Sequence, residues 1–444
     1  MFKRKVYYEL LKWKKQWNGR YACLLEGARR VGKTTIAEEF AKNEYDSYIL
    51  IDFSIASKKI KDLFDDISNL DRFFLRLQTE TDVQLLKRRS LIIFDEIQLF
   101  PKARQAIKHL VKDGRYDYIE TGSLISIQKN VKDILIPSEE LKIKVYPMDY
   151  EEFMWATGKN PEVLEMAYKS NMELGNAINR NAMRDFRIYM AVGGMPQAVE
   201  EYINSNNLES VDFVKRKIID LYYDDLKKID PTGRISNIYK DVPGQLSKKK
   251  KHFVISAATG KRKTTKDDEH LFELIDSGLV LPCYSVTNPN ISLSSTKDID
   301  EYKLYLSDIG LLTTMLFNDV ENGRPDIYRK LLSDNLPADL GYLYENSVAQ
   351  LIKTSGKELY YHTWKKENST HSYEIDFLLT SKNKIIPVEV KSSAINSHES
   401  IDAFEKKYSR FIGNRYLLSQ KDVDKIGSLI LKPIYMTQFL LKDI

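Results

Sequence analysis

Cysteine is scarce in this sequence, with only Cys23 and Cys283 among 444 residues. Two thiols this far apart provide neither a disulfide framework nor a cysteine-based metal site. Because Cys23 lies in an apolar run, we expect it to be a buried free thiol. Long apolar segments are also missing, since no run approaches the roughly 20 residues that cross a bilayer. The basic N-terminus lacks the apolar stretch of a signal peptide, so the sequence favours a cytoplasmic protein with no membrane partner.

The chain has no large excess of either charge. Lys and Arg number 68 and Asp and Glu 63, which leaves a net charge of +5 and a pI of about 8.7. This mild excess permits a nucleic-acid partner without requiring one. A chain of 444 residues is too long for one hydrophobic core, so we expect roughly two to four domains.

Strands and helices alternate in the first third of the chain. Apolar, strand-like runs occupy residues 21–26, 47–53, 91–94, 116–121 and 141–146. This alternation predicts a parallel, doubly wound α/β sheet. The sequence pattern predicts helices over residues 161–205. Over residues 206–320 it predicts helices and a hairpin that resembles the wing of a winged helix. A predicted linker at residues 333–337 precedes a last α/β segment.

A glycine-containing turn follows the first predicted strand and matches the pattern G-x-x-x-x-G-K-[ST] at residues 27–34. Its glycines allow backbone N–H groups to surround phosphates, at the positive N-terminus of the next helix. Lys33 is predicted to reach the β- and γ-phosphates of ATP, and Thr34 to bind Mg²⁺. The predicted ATP-binding residues are Gly27, Ala28, Arg29, Arg30, Val31, Gly32, Lys33, Thr34 and Thr35.

A second feature of nucleotide sites is the apolar strand at residues 91–94, which ends in Asp95 and Glu96. Ligands bind at the carboxyl ends of strands in open α/β sheets. We therefore predict that Asp95 holds Mg²⁺ through water and that Glu96 is the general base for the attacking water. An acidic pair on the surface is the alternative, and the neighbouring phosphate-loop pattern argues against it.

Other polar residues near this edge are less specific. Residues 121–123 end the next strand, where one of them would contact the γ-phosphate or Ser123 would simply cap a helix. The sequence identifies no arginine finger. Arg184 and Arg187 are candidates, and a solvated helix face is the preferred alternative for both.

Charged residues within apolar strands mark the C-terminal segment. Glu389 and Lys391 lie two apart and project from one face of a strand, and Asp376 lies on the strand before it. Two carboxylates and a lysine on one strand face would bind Mg²⁺ and activate water for phosphodiester attack, with Glu345 as a third carboxylate. An exposed cross-strand charge pair is the alternative, although burying charges among apolar residues is costly unless they are used or paired.

Basic runs occur at residues 248–251 and 261–263, inside the predicted winged-helix region. They would neutralise DNA phosphates or lie in a solvated loop, and acidic residues 267–269 reduce the local charge. The sequence leaves these two interpretations open.

Over nearly its whole length the chain resembles prokaryotic AAA-superfamily ATPases in which a winged-helix region and a PD-(D/E)xK nuclease-type domain follow the P-loop domain. The similar stretches are residues 27–34, 91–101, 118–123, 146–153, 193–196, 306–311, 344–349 and 374–392. In one departure from the family pattern, Ile375 replaces the proline of the namesake motif. The resemblance implies an ATPase domain at 1–160, a helical lid and winged helix at 161–332, and an α/β nuclease-like domain at 333–444.

Two functions follow from these features. In the first, an ATP hydrolase couples its nucleotide state to DNA processing, with Lys33 and Glu96 catalytic in one site and Asp376, Glu389 and Lys391 in the other. Glu345, Asp376 and Glu389 would be the metal ligands of that second site. In the second, a nucleotide-dependent switch or DNA-binding regulator has an inert C-terminal module. A homo-oligomer or a protein partner is compatible with either function.

Overall fold

The computed structural model describes residues 1–123, 136–248, 250–260, 265–289, 292–316, 328, 331–333, 340–367, 369–392 and 398–444. The basic residues 261–263 and most of the predicted linker at 333–337 lie outside these ranges. The chain divides into two compact units, Met1–Tyr146 with Asp276–Gly278, and Pro147–Ile275 with Leu279–Ile444. None of the helices in the described part of the chain has the length and apolar character that crossing a bilayer requires.

The first unit contains a five-stranded parallel sheet in the order β2-β3-β4-β1-β5, which confirms the predicted α/β fold. Its strands are β1 (Ala22–Gly27), β2 (Ser47–Asp52), β3 (Ser90–Asp95), β4 (Asp117–Ser123) and β5 (Glu140–Lys144). Its helices are α1 (Lys5–Trp17), α2 (Lys33–Glu44), α3 (Lys58–Asp62), α4 (Leu70–Thr81) and α5 (Pro101–Asp113). Every residue of β1, β3 and β4 is buried, as expected for central strands covered on both faces.

The strand register determines which residues meet at the carboxyl edge of this sheet. Gly27 pairs with Ser123 across β1 and β4, and Phe94 pairs with Glu120 across β3 and β4. The end of β3 therefore lies beside the end of β4, and both lie near the turn that follows β1. This edge is where ligands bind in open α/β sheets.

The second unit begins with helices. They are α6 (Tyr150–Ala156), α7 (Glu162–Ser170), α8 (Asn176–Val192), α9 (Pro196–Ser205), α10 (Leu208–Ile229), α11 (Arg234–Ser247), α12 (Ile255–Thr259) and α13 (Thr265–Asp276). Strands β6 (Val280–Val286) and β7 (Lys297–Leu306) then form the predicted antiparallel hairpin, and α14 (Ile309–Leu316) follows. The hairpin differs from an isolated wing, because β6 also pairs in parallel with β8 (Leu359–Lys365) in a sheet of order β7-β6-β8-β9.

The remainder of the second unit is a mixed α/β region. It contains α15 (Gly341–Thr354), β9 (Ser372–Ile375), β10 (Phe377–Ser381), β11 (Lys384–Val390), α16 (Glu399–Tyr408), β12 (Arg415–Ser419), β13 (Asp424–Ile426), β14 (Leu429–Pro433) and α17 (Thr437–Asp443). The predicted hairpin is formed by β10 and β11. Its two-residue turn is Lys382-Asn383, both at positive φ, as tight hairpins require.

A buried joint connects two of the stretches that carry the family resemblance. Asp308 accepts hydrogen bonds from the backbone N–H groups of Gly194 (2.6 Å) and Leu311 (2.9 Å). The buried Lys215 donates to the carbonyl oxygens of Ala191 (2.6 Å) and Gly310 (3.2 Å). These bonds satisfy backbone groups that burial would otherwise leave unpaired, which gives residues 193–196 and 306–311 a structural role.

Candidate functional site

The phosphate-loop residues form the turn between β1 and α2. Gly32 has a φ of 93° and directly precedes α2, a conformation that glycine adopts without strain. A Cβ atom at Gly27 would overlap the carbonyl oxygen of Val145, so a larger residue does not fit there. Both predicted glycines are therefore required by the shape of the loop.

The other predicted loop residues divide by burial. Ala28 and Val31 are buried, Arg29 is half-buried, and Arg30 and Thr35 are exposed. Since the side chains of Ala28 and Val31 point into the fold, these residues would contact phosphates only through the backbone.

Arg4 was not predicted as part of this site, and it contacts the backbone of the loop. Its side chain is buried and donates to the carbonyl oxygens of Val31 (3.0 Å) and Tyr146 (2.7 Å). Arg4 is a positioning residue, because it binds the backbone of the loop at Val31 and links it to Tyr146. Only three-dimensional contact reveals this, since Arg4 lies 27 residues before Val31.

Lys33 begins α2 and is buried. Its Nζ donates to the carbonyl oxygens of Gly27 (3.1 Å) and Ala28 (2.9 Å), so the ammonium group lies within the loop. Burial lowers the pKa of Lys33 to about 8, although the nearby Glu96 and Asp95 act in the opposite direction.

The lowered pKa of Lys33 predicts a pH dependence of ATP binding. The ammonium is charged below about pH 8 and neutral above it, and only the charged form attracts a triphosphate. Between pH 7 and pH 9 we expect the dissociation constant for ATP to increase about tenfold, measured by titration calorimetry. Lys33→Arg is the matched control, because its guanidinium stays charged over this range. A native profile as flat as that of the arginine variant would contradict the assignment.

Asp95 is the centre of a hydrogen-bonded cluster at the ends of β3 and β4. Its Oδ1 accepts from the Thr34 hydroxyl (2.7 Å) and from the Thr121 hydroxyl. Burial raises the pKa of Asp95, and these two hydroxyl donors act to lower it. A hydroxyl and a carboxylate oxygen already side by side are the ligands that Mg²⁺ takes in such sites, so the predicted Mg²⁺ residues fit that ion.

Glu96 directly follows β3 and has a φ of 53°, a left-handed conformation. Its backbone N–H donates to the Thr121 hydroxyl (3.4 Å), and its Oε2 accepts from the Gln98 side chain. Gln98 is buried and therefore orients the Glu96 carboxylate. Thr121, at the end of β4, is thus hydrogen-bonded to both Asp95 and Glu96.

Arg187 differs from its predicted solvated position. It is buried in the second unit, where its Nη2 donates to Gln420 (2.9 Å) and its Nε to the Tyr344 hydroxyl (3.5 Å). Arg184 is exposed, as the solvated interpretation expects. Arg187 is thus a buried structural arginine of its own unit.

The structure brings together the four predicted residues of the C-terminal site. Phe377 pairs with Val388 at the end of the β10–β11 ladder, and the neighbouring Asp376 and Glu389 are close enough to interact electrostatically. The backbone N–H of Val390 donates to Asp376 (2.7 Å), and Lys391 forms an ion pair with Glu389 (2.6 Å). A cavity of about 320 Å³ is lined by Glu345, Asp376 and Lys391 but not by Glu389.

Lys303 is the residue that the sequence analysis missed in this cluster. It lies on β7 and forms ion pairs with Glu345 (3.0 Å) and with Glu374 (2.7 Å). Glu345 also accepts from the Tyr305 hydroxyl. Burial raises the pKa of Asp376, and the nearby Glu345 raises it further, while burial also raises the pKa of Glu389.

These carboxylates do not fit a divalent metal as the structure holds them. Across the described ranges, no three His, Cys, Asp or Glu side chains are grouped so as to hold a metal ion. Lysine ammonium groups form ion pairs with three of the carboxylates. Lys303 pairs with Glu345 and Glu374, and Lys391 pairs with Glu389. The Oε2 atom of Glu389 has no hydrogen-bond partner among the described residues, but one oxygen does not supply the ligands that Mg²⁺ needs.

Three family models match separate parts of the chain. Residues 19–154 match the AAA domain model. This segment is therefore similar to AAA domains, whose P-loop fold is that of nucleotide-binding ATPases. Residues 183–322 match a domain of unknown function, DUF8612, and residues 340–434 match another, DUF4143.

Solved structures with a similar arrangement include a Walker-type ATPase of Pyrococcus abyssi, at 16% identity and a TM-score of 0.44, over 71% of this chain and 96% of that one. The Aeropyrum pernix ORC1 protein in complex with DNA is 12% identical at a TM-score of 0.28, over 73% and 94% of the two chains. AMPPCP-bound DnaA from Aquifex aeolicus is 12% identical, with a TM-score of 0.28, over 62% of this chain and 83% of that one. No curated protein matches the sequence. These similarities are too low for a function to be transferred from them.

Proposed function

We propose that this protein hydrolyses ATP at the carboxyl edge of the first unit's sheet. The observation that supports this most strongly is the Asp95 cluster, in which Thr34 and Thr121 both donate to one carboxylate oxygen beside Glu96. Lys33 would bind the phosphates, and Thr34 and Asp95 would hold Mg²⁺, which when bound neutralises charge on the phosphates. Glu96, oriented by Gln98, would accept the proton of the attacking water.

The domain order that we propose is an ATPase domain at 1–160, a helical lid with a winged helix at 161–332, and a nuclease-like domain at 333–444. Each of the three family models falls inside one of these ranges, at 19–154, 183–322 and 340–434, which supports the division. The antiparallel hairpin of β6 and β7 supplies the two strands that a wing requires, although β6 also pairs with β8 of the following range. The cluster of Glu345, Asp376, Glu389 and Lys391 supports a nuclease-like origin of the last domain.

Between the two functions that the sequence left open, the geometry favours the switch. The carboxylates of the C-terminal site are paired with lysines rather than arranged around a metal position. We therefore propose that ATP turnover controls the association of a non-cleaving C-terminal module with DNA in the cytoplasm. Lys250, from the basic run 248–251, lines the same cavity as Lys391, and such lysines would contact DNA phosphates. A homo-oligomer would present several of these cavities to one duplex.

Replacing Glu96 with glutamine tests the proposed hydrolysis. The amide cannot accept a proton, so we expect the hydrolysis rate to fall by about 10²-fold or more. ATP binding should persist, since Lys33 and Thr34 are unchanged. Steady-state phosphate release and a fluorescent-nucleotide titration measure the two quantities separately.

The matched control is Glu39→Gln on α2. Glu39 accepts a hydrogen bond from Asn43 on the same helix, at an exposed position, so both activities should stay at native levels. A Glu96→Gln chain that hydrolyses ATP at the native rate would refute the role of Glu96. Loss of binding together with hydrolysis would instead indicate damage to the loop.

A further inference from the structure

A buried lysine occupies the middle of the acidic cluster in the second unit. Lys303 has only 6% of its surface exposed, and burying a charge is costly unless other groups compensate it. Compensation comes from α15 and β9, which supply Glu345 and Glu374. The site therefore contains its own cation, fixed to the chain through β7.

The two carboxylates converge on a single point. Oε1 of Glu345 and Oε1 of Glu374 lie 3.0 Å and 2.7 Å from the same Nζ atom of Lys303. These oxygens come from elements that are neighbours in the fold and distant in sequence, so their approach is a property of the tertiary structure. Carboxylate oxygens that converge on one cation are also the ligands with which proteins bind divalent ions.

Asp376 adds to the negative charge around Lys303. The pKa of Lys303 is raised well above its usual value, because the attraction of Glu345, Glu374 and Asp376 outweighs the opposing effect of burial. Through its ion pairs with Glu345 and Glu374, the Lys303 ammonium is the counter-charge of the cluster.

The remaining predicted ligand is neutralised separately. Lys391 lies 2.6 Å from Glu389, so the pair Glu389–Lys391 requires no further cation. Lys303 and Lys391 thus supply the positive charge that a metal ion brings to the carboxylates of a nuclease site.

We infer that the Lys303 ammonium replaces the divalent metal ion in this cluster, so that the C-terminal module keeps a nuclease-like arrangement but binds no metal there. The inference deepens the proposed function, because it rests on the module associating with DNA without cleaving it. It also predicts that the cluster has no uncompensated negative charge to attract a divalent ion while Lys303 is present.

Removing the ammonium should open the site. Lys303→Met keeps an unbranched side chain of similar length and removes the charge, which leaves Glu345, Glu374 and Asp376 facing one another. Like charges at this separation are destabilising unless a cation enters or a proton binds. Mn²⁺ is a suitable probe, since carboxylate oxygens suit it and its free form is counted by electron paramagnetic resonance.

The experiment is a Mn²⁺ titration without nucleotide, in an Asp95→Asn background that removes the carboxylate of the other candidate metal site. With Lys303 present we expect no bound Mn²⁺ at the cluster. Lys303→Met should gain one Mn²⁺ per chain. Its affinity for Mn²⁺ at the cluster should exceed that of the chain with Lys303 by about tenfold or more. Adding Glu345→Gln should abolish the gain, and Lys303→Arg, which retains the charge, should show none.

Either of two results would overturn the inference. One is a Mn²⁺ bound by the chain with Lys303 intact and lost on Glu345→Gln or Asp376→Asn. The other is a folded Lys303→Met chain that gains no Mn²⁺. If Lys303→Met does not fold, the titrations of the Lys303 and Lys303→Arg chains still test the inference, because Mn²⁺ bound at the cluster of either chain would contradict it. ATP hydrolysis, measured with Asp95 intact, tests the proposed function independently, because failure of the Glu96→Gln prediction would leave the Mn²⁺ result unchanged.

Discussion

Replacing Lys33 with alanine is expected to reduce ATP hydrolysis by about 10²-fold or more. Lys33 is buried at the start of α2, and its Nζ lies 2.9–3.1 Å from the loop carbonyl oxygens of Ala28 and Gly27. An ammonium in this position is surrounded by a curved backbone, where charge acts more strongly than in water. Alanine removes that charge without changing the backbone of the turn. Phosphate release at saturating ATP measures the effect.

The control for this substitution is Lys42→Ala on the same helix. The Lys42 side chain is 51% exposed and forms an ion pair with Glu38, at 2.9 Å. Such surface pairs contribute little to stability, so hydrolysis should be unchanged. Equal rates in the native and Lys33→Ala chains would remove the basis for the proposed nucleotide site.

The nucleotide site was largely predictable from sequence because its main elements are local. Residues 27–34 are contiguous, and their spacing alone places a lysine and a hydroxyl at a helix N-terminus. Asp95 needed one further step, the rule that parallel strands end at one edge. Arg4 and Gln98 could not be predicted in this way. Their roles depend on hydrogen bonds to a loop carbonyl and to a side chain, and no periodicity encodes those bonds.

The C-terminal site was only half predictable, for a related reason. The hairpin of β10 and β11 follows from alternation and its tight turn, and its ladder ends beside Asp376 and Glu389. Lys303 lies on β7, which the sequence assigned to an isolated wing. Parallel pairing of β6 with β8 brings β7 into a sheet with β9. Pairing between strands this distant leaves no local signal in the sequence, and neither does the ion pair of Lys303 with Glu374.

The resemblance at residues 193–196 and 306–311 has a packing explanation that the sequence did not provide. Gly193 has a φ of 85°, and a Cβ atom there would lie 2.8 Å from the Cα of Gly310. Two glycines allow the turn after α8 to contact the start of α14 at backbone distance. Asp308 then joins the two by accepting from the N–H groups of Gly194 and Leu311. Close backbone approach, rather than chemistry, accounts for both stretches.

Gly194→Ala is therefore expected to destabilise the second unit by about 3 kcal/mol or more. A Cβ atom at Gly194 would overlap the carbonyl oxygen of Met148 and lie 2.7 Å from its backbone nitrogen. Both obstacles are backbone atoms, so no rotamer change relieves them. Moving the backbone would also stretch the hydrogen bonds from Gly194 N–H to Asp308 and from Met148 N–H to the Gly194 carbonyl. Calorimetry should show the unfolding temperature lowered by about 6 °C or more.

Gly244→Ala is the matched control, because it makes the same chemical change within the same unit. Gly244 lies in α11, and the nearest atom to its Cβ would be an Asp241 oxygen at 3.6 Å, an ordinary contact. Alanine is favoured over glycine within a helix by about 0.5–1 kcal/mol, so this variant should unfold at the native temperature or slightly above it. If both variants unfold at the native temperature, the turn after α8 has room that the structure does not show. If only Gly194→Ala is destabilised, the cost comes from the contact with Met148, since the added methyl group is the same in both.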